Sequence, residues 1–534
     1  VPVRIVALIA FLIVIAFLVG TSTERNGGDF TYPLDDTYIH LAVAKTLAGS
    51  GTWGINPGEF SSCTSSILWP LLLALFGAGM AWGEQIPLAI NLIAGMIVIG
   101  FADRWLREQA VGRLVRLGVL IGFVMVVPLG VLSVLGLEHV LQIGFALALL
   151  RWGIERIDGP DPGPLRRGRG RALAFLLVAT RFEGLFLIAA LALFLRRAGR
   201  RQDAAELVLS GVAPLVIFGS MSLALGGRFL PTPLWMKGRL SAELLPAVQA
   251  AGPDPGRWLQ IAAEFLVLGP LRVMADVGVL AWLVLFATAR LVWSRSKGAW
   301  LTGVSIVLLT TWMHLVFART GWVGRYEAWL IAMLSVVLAP FAQRLIDGGI
   351  RRRWLVRVGA AIALLAFGAM PVRQRVASTM FQANRGSTNI HEQQVQMARF
   401  LDRFYQGDPI GLNDIGAVAY FADIRCVDLW GLANVDLAER RIAGELNPVE
   451  MEWEARVNGV EIVAMYESVL EETGGVPESW HPVADWRIRR NAVCGSSRLT
   501  WFATTPEVVD RLRDRLQRWT PELPTTVGVR LRDQ

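Results

Sequence analysis

Apolar runs of about twenty residues recur along the chain, each long enough to cross a hydrocarbon core of ~30 Å as a helix. Short arginine-rich stretches separate them. A mean hydropathy of +0.46 with only 18% charged residues fits the same reading. A soluble protein of this size needs a more highly charged surface. The first run, residues 3–20, has no small-residue cleavage site and is followed by further runs, so it reads as an uncleaved anchor. Twenty tryptophans suit many positions at a membrane interface.

The net charge of +8 does not point to nucleic acid, because the basic residues cluster between apolar segments, as at 166–171, 196–201 and 351–353. That is the signal of cytoplasmic loops. Placing the basic loops 104–116, 151–171, 196–201, 290–297 and 344–357 on one side requires an even number of crossings between each pair. The spans that satisfy this are 113–132 with 138–156, 203–226 with 271–290, and 299–318 with 326–345, with 355–370 leading outward alone. The stretch 171–196 becomes a short helical hairpin turning at Arg181 and Glu183. Residues 67–82 dip into the outer leaflet without crossing, before a span at 86–105.

The result is a polytopic α-helical membrane protein of about eleven spans, N-terminus inside and C-terminus outside. Residues 1–374 form the membrane domain, with a first outer loop at about 21–66. Residues 375–534 carry no spanning run and form a soluble extracytoplasmic α/β domain. Strands are expected at 409–412 and 460–466, and helices at 390–405 and 506–519.

Nearly every ionisable group beside an apolar segment that the basic loops do not explain falls on the outer side of this scheme. These are Asp35 and Asp36, Glu138 and His139, Arg181 and Glu183, Arg228, Lys237 and Arg239, then Arg319, Arg325 and Glu327. Charges at a membrane edge are costly and mark functional sites by default. Asp35 and Asp36 open an amphipathic stretch; one reading is a helix N-cap, the other a cap plus a general base. Arg181, Lys237, Arg239 and Arg325 form a candidate anion-binding set. Against that, Arg181 could simply pair with Glu183 or Glu138, and Arg319 and Arg325 could snorkel to the interface.

His139 reads either as an acceptor contact or as a hydrogen-bonded interfacial histidine. No glycine-rich phosphate loop, HExxH or nucleophile elbow stands where it could work. Cys63, Cys426 and Cys494 have no metal-ligand spacing, though Cys426 and Cys494 could pair outside the cytoplasm. Asp35, Asp36 and Glu138 could hold a divalent cation, but no ligand spacing demands one.

At these residues the sequence resembles GT-C glycosyltransferases. The blocks are Leu34-Asp35-Asp36-Thr37-Tyr38-Ile39, Asn56-Pro57-Gly58-Glu59, Gly136-Leu137-Glu138, Thr180-Arg181-Phe182-Glu183-Gly184, Leu230-Pro231-Thr232-Pro233 with Lys237, and Arg325-Tyr326. Asn413-Asp414-Ile415-Gly416-Ala417 and Val427-Asp428-Leu429 follow in the outer domain. Within that superfamily the chain looks like the mycobacterial arabinofuranosyltransferases that use a decaprenyl-phosphate sugar.

The resemblance implies a polyprenyl-phosphate-sugar donor, a glycan or lipid acceptor, and a bacterial inner-membrane location. Asp35 or Asp36 would be the base, with Arg181, Lys237 and Arg325 on the carrier phosphate. Tyr38, Glu138, His139, Glu183, Arg239 and Tyr326 would line the substrate pocket. The chain departs from the pattern at Ala42, at Thr64-Ser65-Ser66-Ile67 and at Arg181-Phe182-Glu183, which bears on the sugar more than on the reaction. The rival readings are a transporter or flippase of a lipid-linked or anionic substrate, and a non-catalytic assembly factor. A transporter would place its site near the midplane between repeats, and no repeated halves are present.

Overall fold

The computed structural model of the chain describes residues 2–77, 79–159, 164–239, 244–252, 254–293, 299–348 and 354–532. The apolar runs fold as packed helices, and the last third of the chain adds a six-stranded sheet. Among the described residues six helices are long and apolar enough to cross a membrane: Val3–Arg25, Gly83–Glu108, Arg113–Val134, Arg201–Ala224, Pro255–Asp276 and Ala328–Asp347. Shorter apolar helices cover Gly278–Leu291 and Leu301–Phe317. The remaining expected crossings are also helical: His139–Asp158, the pair Pro164–Thr180 and Gly184–Arg197, and Trp354–Ile390.

Burial along the first helix shows why such segments belong in lipid. Val3, Ala7, Phe11, Ile15, Leu18 and Ser22 are buried at helical spacing, while Ile9, Ile13 and Phe17 are exposed on the other face. A helix apolar on its outward face is at home only in an apolar medium.

The bundle has two polar ends. At one, Arg151 meets Glu108 at 2.8 Å, Arg156 meets Asp203 at 2.6 Å, and Gln343 accepts from the Gly112 amide at 2.9 Å. The arginine-rich loops carrying these residues therefore gather at that end. At the other, Arg375 donates to Glu327, to the Gly324 carbonyl (2.8 Å) and to the Val126 carbonyl (2.7 Å). The second end carries the sheet and is here called the domain end.

The expected span 271–290 is not one helix. Val277, at φ −96° and ψ 68°, breaks it. The Pro255–Asp276 stretch before the break has Phe265 against Phe317 (centroids 5.9 Å) and leads to Gly278, which packs closely against Pro371. Phe317 and Pro371 both lie at the domain end, so this stretch runs along that end and Gly278–Trp293 enters the bundle. In the expected dip, Leu68–Leu75 has eight residues and measures ~12 Å, too short to cross.

The sheet has strands β1 (Pro409–Leu412), β2 (Arg425–Asp428), β3 (Ile462–Tyr466), β4 (His481–Ile488), β5 (Arg498–Ala503) and β6 (Val527–Leu531). Their order is β2-β1-β3-β5-β4-β6, with β1 parallel to β2 and β3 and the other neighbours antiparallel. Every residue of β3 is buried, as its unbroken apolar run requires of a strand covered on both faces. Phe400 packs on Trp501 and Trp486, with centroids 4.9 and 5.9 Å away. Leu512 and Leu516 of the Pro506–Trp519 helix are fully buried.

No loop separates sheet and bundle. Trp354–Ile390 is a single 37-residue helix that continues through a π-turn, His391–Val395, into Gln396–Phe404. The composition change near residue 374 falls inside it. Cys63, Cys426 and Cys494 are buried free thiols, so the pairing of Cys426 with Cys494 is not made.

Candidate active site

The stretch expected to be amphipathic is the helix Asp35–Ser50, entered from extended Leu34 and ended at Gly51, whose φ of 71° suits glycine. Neither aspartate caps it. Neighbouring residues on a helix point about 100° apart, so the two carboxylates face different partners.

Asp35 accepts from the backbone N–H groups of Gly416 and Ala417, both at 2.8 Å. It caps the Gly416–Phe421 helix of the sheet domain. Glycine is needed at 416 because a Cβ there would stand 2.2 Å from the Asp35 carbonyl oxygen. Burial first, and the Asp414 carboxylate second, push Asp35 up to about 8 against the pull of those two amides. Burial also raises Asp414, which accepts from the Tyr466 hydroxyl (2.6 Å) and Gln394 (2.7 Å). Nearby, Lys45 donates to the Tyr420 carbonyl at 2.8 Å, and Asn56 exchanges two hydrogen bonds with the Cys426 backbone. This loop is the shelf on which the sheet domain rests.

Asp36 faces a cavity of about 430 Å³. Its carboxylate meets Arg325 Nη2 at 2.5 Å, and the same nitrogen donates to the Tyr326 hydroxyl at 2.9 Å. Arg325 is 3% exposed, and its Nε and Nη1 have no hydrogen-bond partner among the described residues. The backbone just before it is strained. Gly321, Trp322, Val323 and Gly324 all have positive φ, which costs a non-glycine residue ~1–2 kcal/mol. Glu327 holds this left-handed turn through the Gly321 amide (2.8 Å), and Arg375 holds it through the Gly324 carbonyl. Strain held in place by buried charges fixes where the guanidinium points.

A second buried cluster forms part of the cavity wall, with His40, Ser65, Arg181 and Glu183 among the lining residues. Arg181, in the turn between Pro164–Thr180 and Gly184–Arg197, forks onto both oxygens of Glu183 (2.5 and 3.1 Å) and donates to Glu138 at 3.0 Å. Ser65 donates to Glu138 at 3.2 Å, and His40 lies 3.3 Å from Ser65 and 3.8 Å from Glu138. Two carboxylates thus neutralise Arg181, whereas Arg325 meets one carboxylate, Asp36, and keeps two nitrogens without a partner among the described residues. Arg319 stands exposed at the cavity's edge.

The cavity gathers Asp36, Arg181, Glu183, Arg325 and Tyr326. Glu138 and His139 stand just behind, with the His139 ring edge-on to Tyr326. Two expected residues lie elsewhere. Tyr38 is two positions from Asp36, hence on the opposite side of the helix, and donates to Glu84 at 3.0 Å. Arg239 donates to the Leu315 carbonyl at 2.7 Å and covers the Phe265 ring. The Lys237 side chain lies outside the described residues.

His40 was not singled out in the sequence, and Ser65 only as part of a departure from the family pattern, although His40 follows Asp36 by four residues, the helical spacing for one face. No group of three or more His, Cys, Asp or Glu is placed to hold a metal ion among the described residues. Asp35 is engaged by amides, Asp36 by Arg325 and Glu138 by Arg181.

Residues 388–504 match a domain of unknown function, DUF8728. No curated protein sequence matches the chain. Among solved structures, the chain is similar to ArnT from Cupriavidus metallidurans bound to undecaprenyl phosphate. The identity is 11% and the TM-score 0.51, over 94% of this chain and 98% of that one. The apo form of the same protein matches at 13% identity and a TM-score of 0.49, over 93% and 98%. The chain has an ArnT-like fold, a helical membrane bundle bearing a C-terminal sheet-containing domain.

Proposed function

We propose that this protein moves a sugar from a polyprenyl-phosphate donor to a cell-envelope glycan or lipid on the outer side of a bacterial cytoplasmic membrane. One observation carries the reading. A single cavity joins the carboxylate of Asp36 and the partly unspent guanidinium of Arg325 to an apolar chamber lined by Leu185, Leu215, Leu234 and Phe317. A lipid-phosphate sugar has matching parts: an apolar tail, an anionic phosphate, and a carbon that must be attacked by a hydroxyl. The ArnT-like fold supports the same donor class, since that protein binds undecaprenyl phosphate.

In this reaction Asp36 accepts the proton of the acceptor hydroxyl, and the oxygen attacks the anomeric carbon. The bond from that carbon to the phosphate oxygen breaks, and Arg325 receives the charge that builds on the departing carrier phosphate. Arg181 acts indirectly, as the buried counter-ion that fixes Glu138 and Glu183. Arabinofuranose is the first sugar to try, on the strength of the sequence resemblance.

The test is release of polyprenyl phosphate from a panel of polyprenyl-phosphate sugars by protein in nanodiscs. Asp36→Asn should lower kcat with donor affinity kept, and Arg325→Lys should weaken donor binding, because lysine lacks the planar fork. Folded wild-type protein that neither binds nor cleaves any donor, but moves a lipid-linked substrate across the bilayer, would replace this reading with a transporter.

A further inference from the structure

A second cavity, of about 920 Å³, opens between the 228–235 segment and two helices of the sheet domain, Val435–Ala443 and Pro448–Val457. Leu230 and Trp235 line both this cleft and the reaction cavity, so the two are joined through a shared wall. We infer that the cleft is the acceptor subsite and that the acceptor it takes is a neutral saccharide; this rests on the transferase reading above.

Two features select that chemistry. The first is aromatic. Trp453 is 57% exposed at the lip of the cleft, with Trp235 at its inner wall. An exposed indole is a flat apolar face that is costly to leave in water unless something covers it, and the C–H face of a sugar ring matches it in shape.

The second is charge. Among the described residues, Asp436, Glu439, Glu445, Glu450 and Glu454 line the cleft against only Arg228 and Arg440. Those two arginines are already engaged, Arg228 by Glu439 and Arg440 by Glu450 at 3.0 Å. Asp436 and Glu445 have no ion-pair partner among the described residues, and Glu454 is held by the neutral amides of Asn434 and Asn458. A cleft with this surplus of negative charge repels a phosphate-bearing headgroup. The same carboxylates accept hydrogen bonds from hydroxyls, the one polar group a neutral sugar offers in quantity.

The experiment reads binding without turnover. Saturation-transfer NMR on the full-length protein in nanodiscs, with no donor present, would be run with neutral linear pentasaccharides of arabinofuranose, galactofuranose and mannose. Mannopentaose 6-phosphate is the anionic probe. At least one neutral pentasaccharide should bind. Trp453→Ala should weaken it by about tenfold, the scale of truncating an aromatic anchor. Trp453→Phe should restore most of the affinity, and Val476→Ala, exposed elsewhere on the same domain, should change nothing.

The inference is overturned if folded wild-type protein binds none of the neutral probes, if Trp453→Ala binds them as well as wild type, or if the phosphorylated probe binds better than its neutral counterpart. Saccharide binding without any release of polyprenyl phosphate would keep the cleft and remove the proposed reaction, so the two failures are distinguishable.

Discussion

Replacing Asp35 and Asp36 by asparagine, one at a time, sets two adjacent and chemically identical residues against each other. Asp36→Asn keeps the shape of the side chain and one oxygen for Arg325. The Asp36 side chain is 28% exposed but Arg325 is buried, so swapping the carboxylate for an amide that still accepts from it should cost folding ~1–3 kcal/mol. Its loss to turnover should be ~10²- to 10⁴-fold, the usual contribution of a general base. Asp35→Asn acts mainly on folding. Two backbone amides at 2.8 Å share its two oxygens, and an asparagine nitrogen cannot accept. One buried N–H at the start of the Gly416–Phe421 helix then faces another donor, at a cost of ~1–3 kcal/mol. That loss should appear as a lower unfolding midpoint and faster proteolysis of the sheet domain, with turnover per folded molecule within a few-fold of wild type. The assay pairs thermal unfolding in nanodiscs with polyprenyl phosphate release. Normal turnover in Asp36→Asn, or abolished turnover in Asp35→Asn with an unchanged midpoint, would refute the division of labour.

Three further outcomes are expected. Arg181→Ala leaves Glu138 and Glu183 without their cation and should destabilise the bundle by ~3–5 kcal/mol, seen as loss of folded protein by size-exclusion chromatography rather than as a simple change in donor affinity. Trp322→Gly relieves a left-handed residue whose side chain is half exposed, so thermal unfolding should show an unchanged or higher midpoint. The same variant should bind donor more weakly, because the turn that aims Arg325 loosens. Docking of the sheet domain should also depend on pH. Asp35 is raised to about 8 in the folded protein, so folding favours its protonated form. Stability at this joint is therefore greatest in acid, declines as pH rises, and levels off above about 8. Unfolding midpoints taken across that range should fall in wild type and fall less in Asp414→Asn, which removes the neighbouring carboxylate.

The period and length of the apolar runs were enough to read a helical bundle, because a hydrocarbon-facing helix must be apolar over a fixed length whatever packs beside it. The hairpin turn at Arg181–Glu183, the short dip at Leu68–Leu75 and the strand Pro409–Leu412 were legible for the same kind of local reason. Hydropathy could not see that Pro255–Asp276 lies along the domain end. Its composition permits a crossing, and only its packing against Phe317 and the abutment of Gly278 on Pro371 decide otherwise.

The candidate site divides in the same way. Sequence alone gathered Asp36, Arg181, Glu183 and Arg325 as outer-side polar groups, since charge beside an apolar run is conspicuous in one dimension, and Tyr326 came in only through the family resemblance. Which aspartate faces the cavity, which arginine is already spent on carboxylates and which has donors left are matters of direction. Those directions are set by a helix that turns Asp35 onto Gly416 and Asp36 onto Arg325, residues hundreds of positions away in the chain. A linear pattern carries the cost of burying charge; only the tertiary structure decides which opposite charge offsets it.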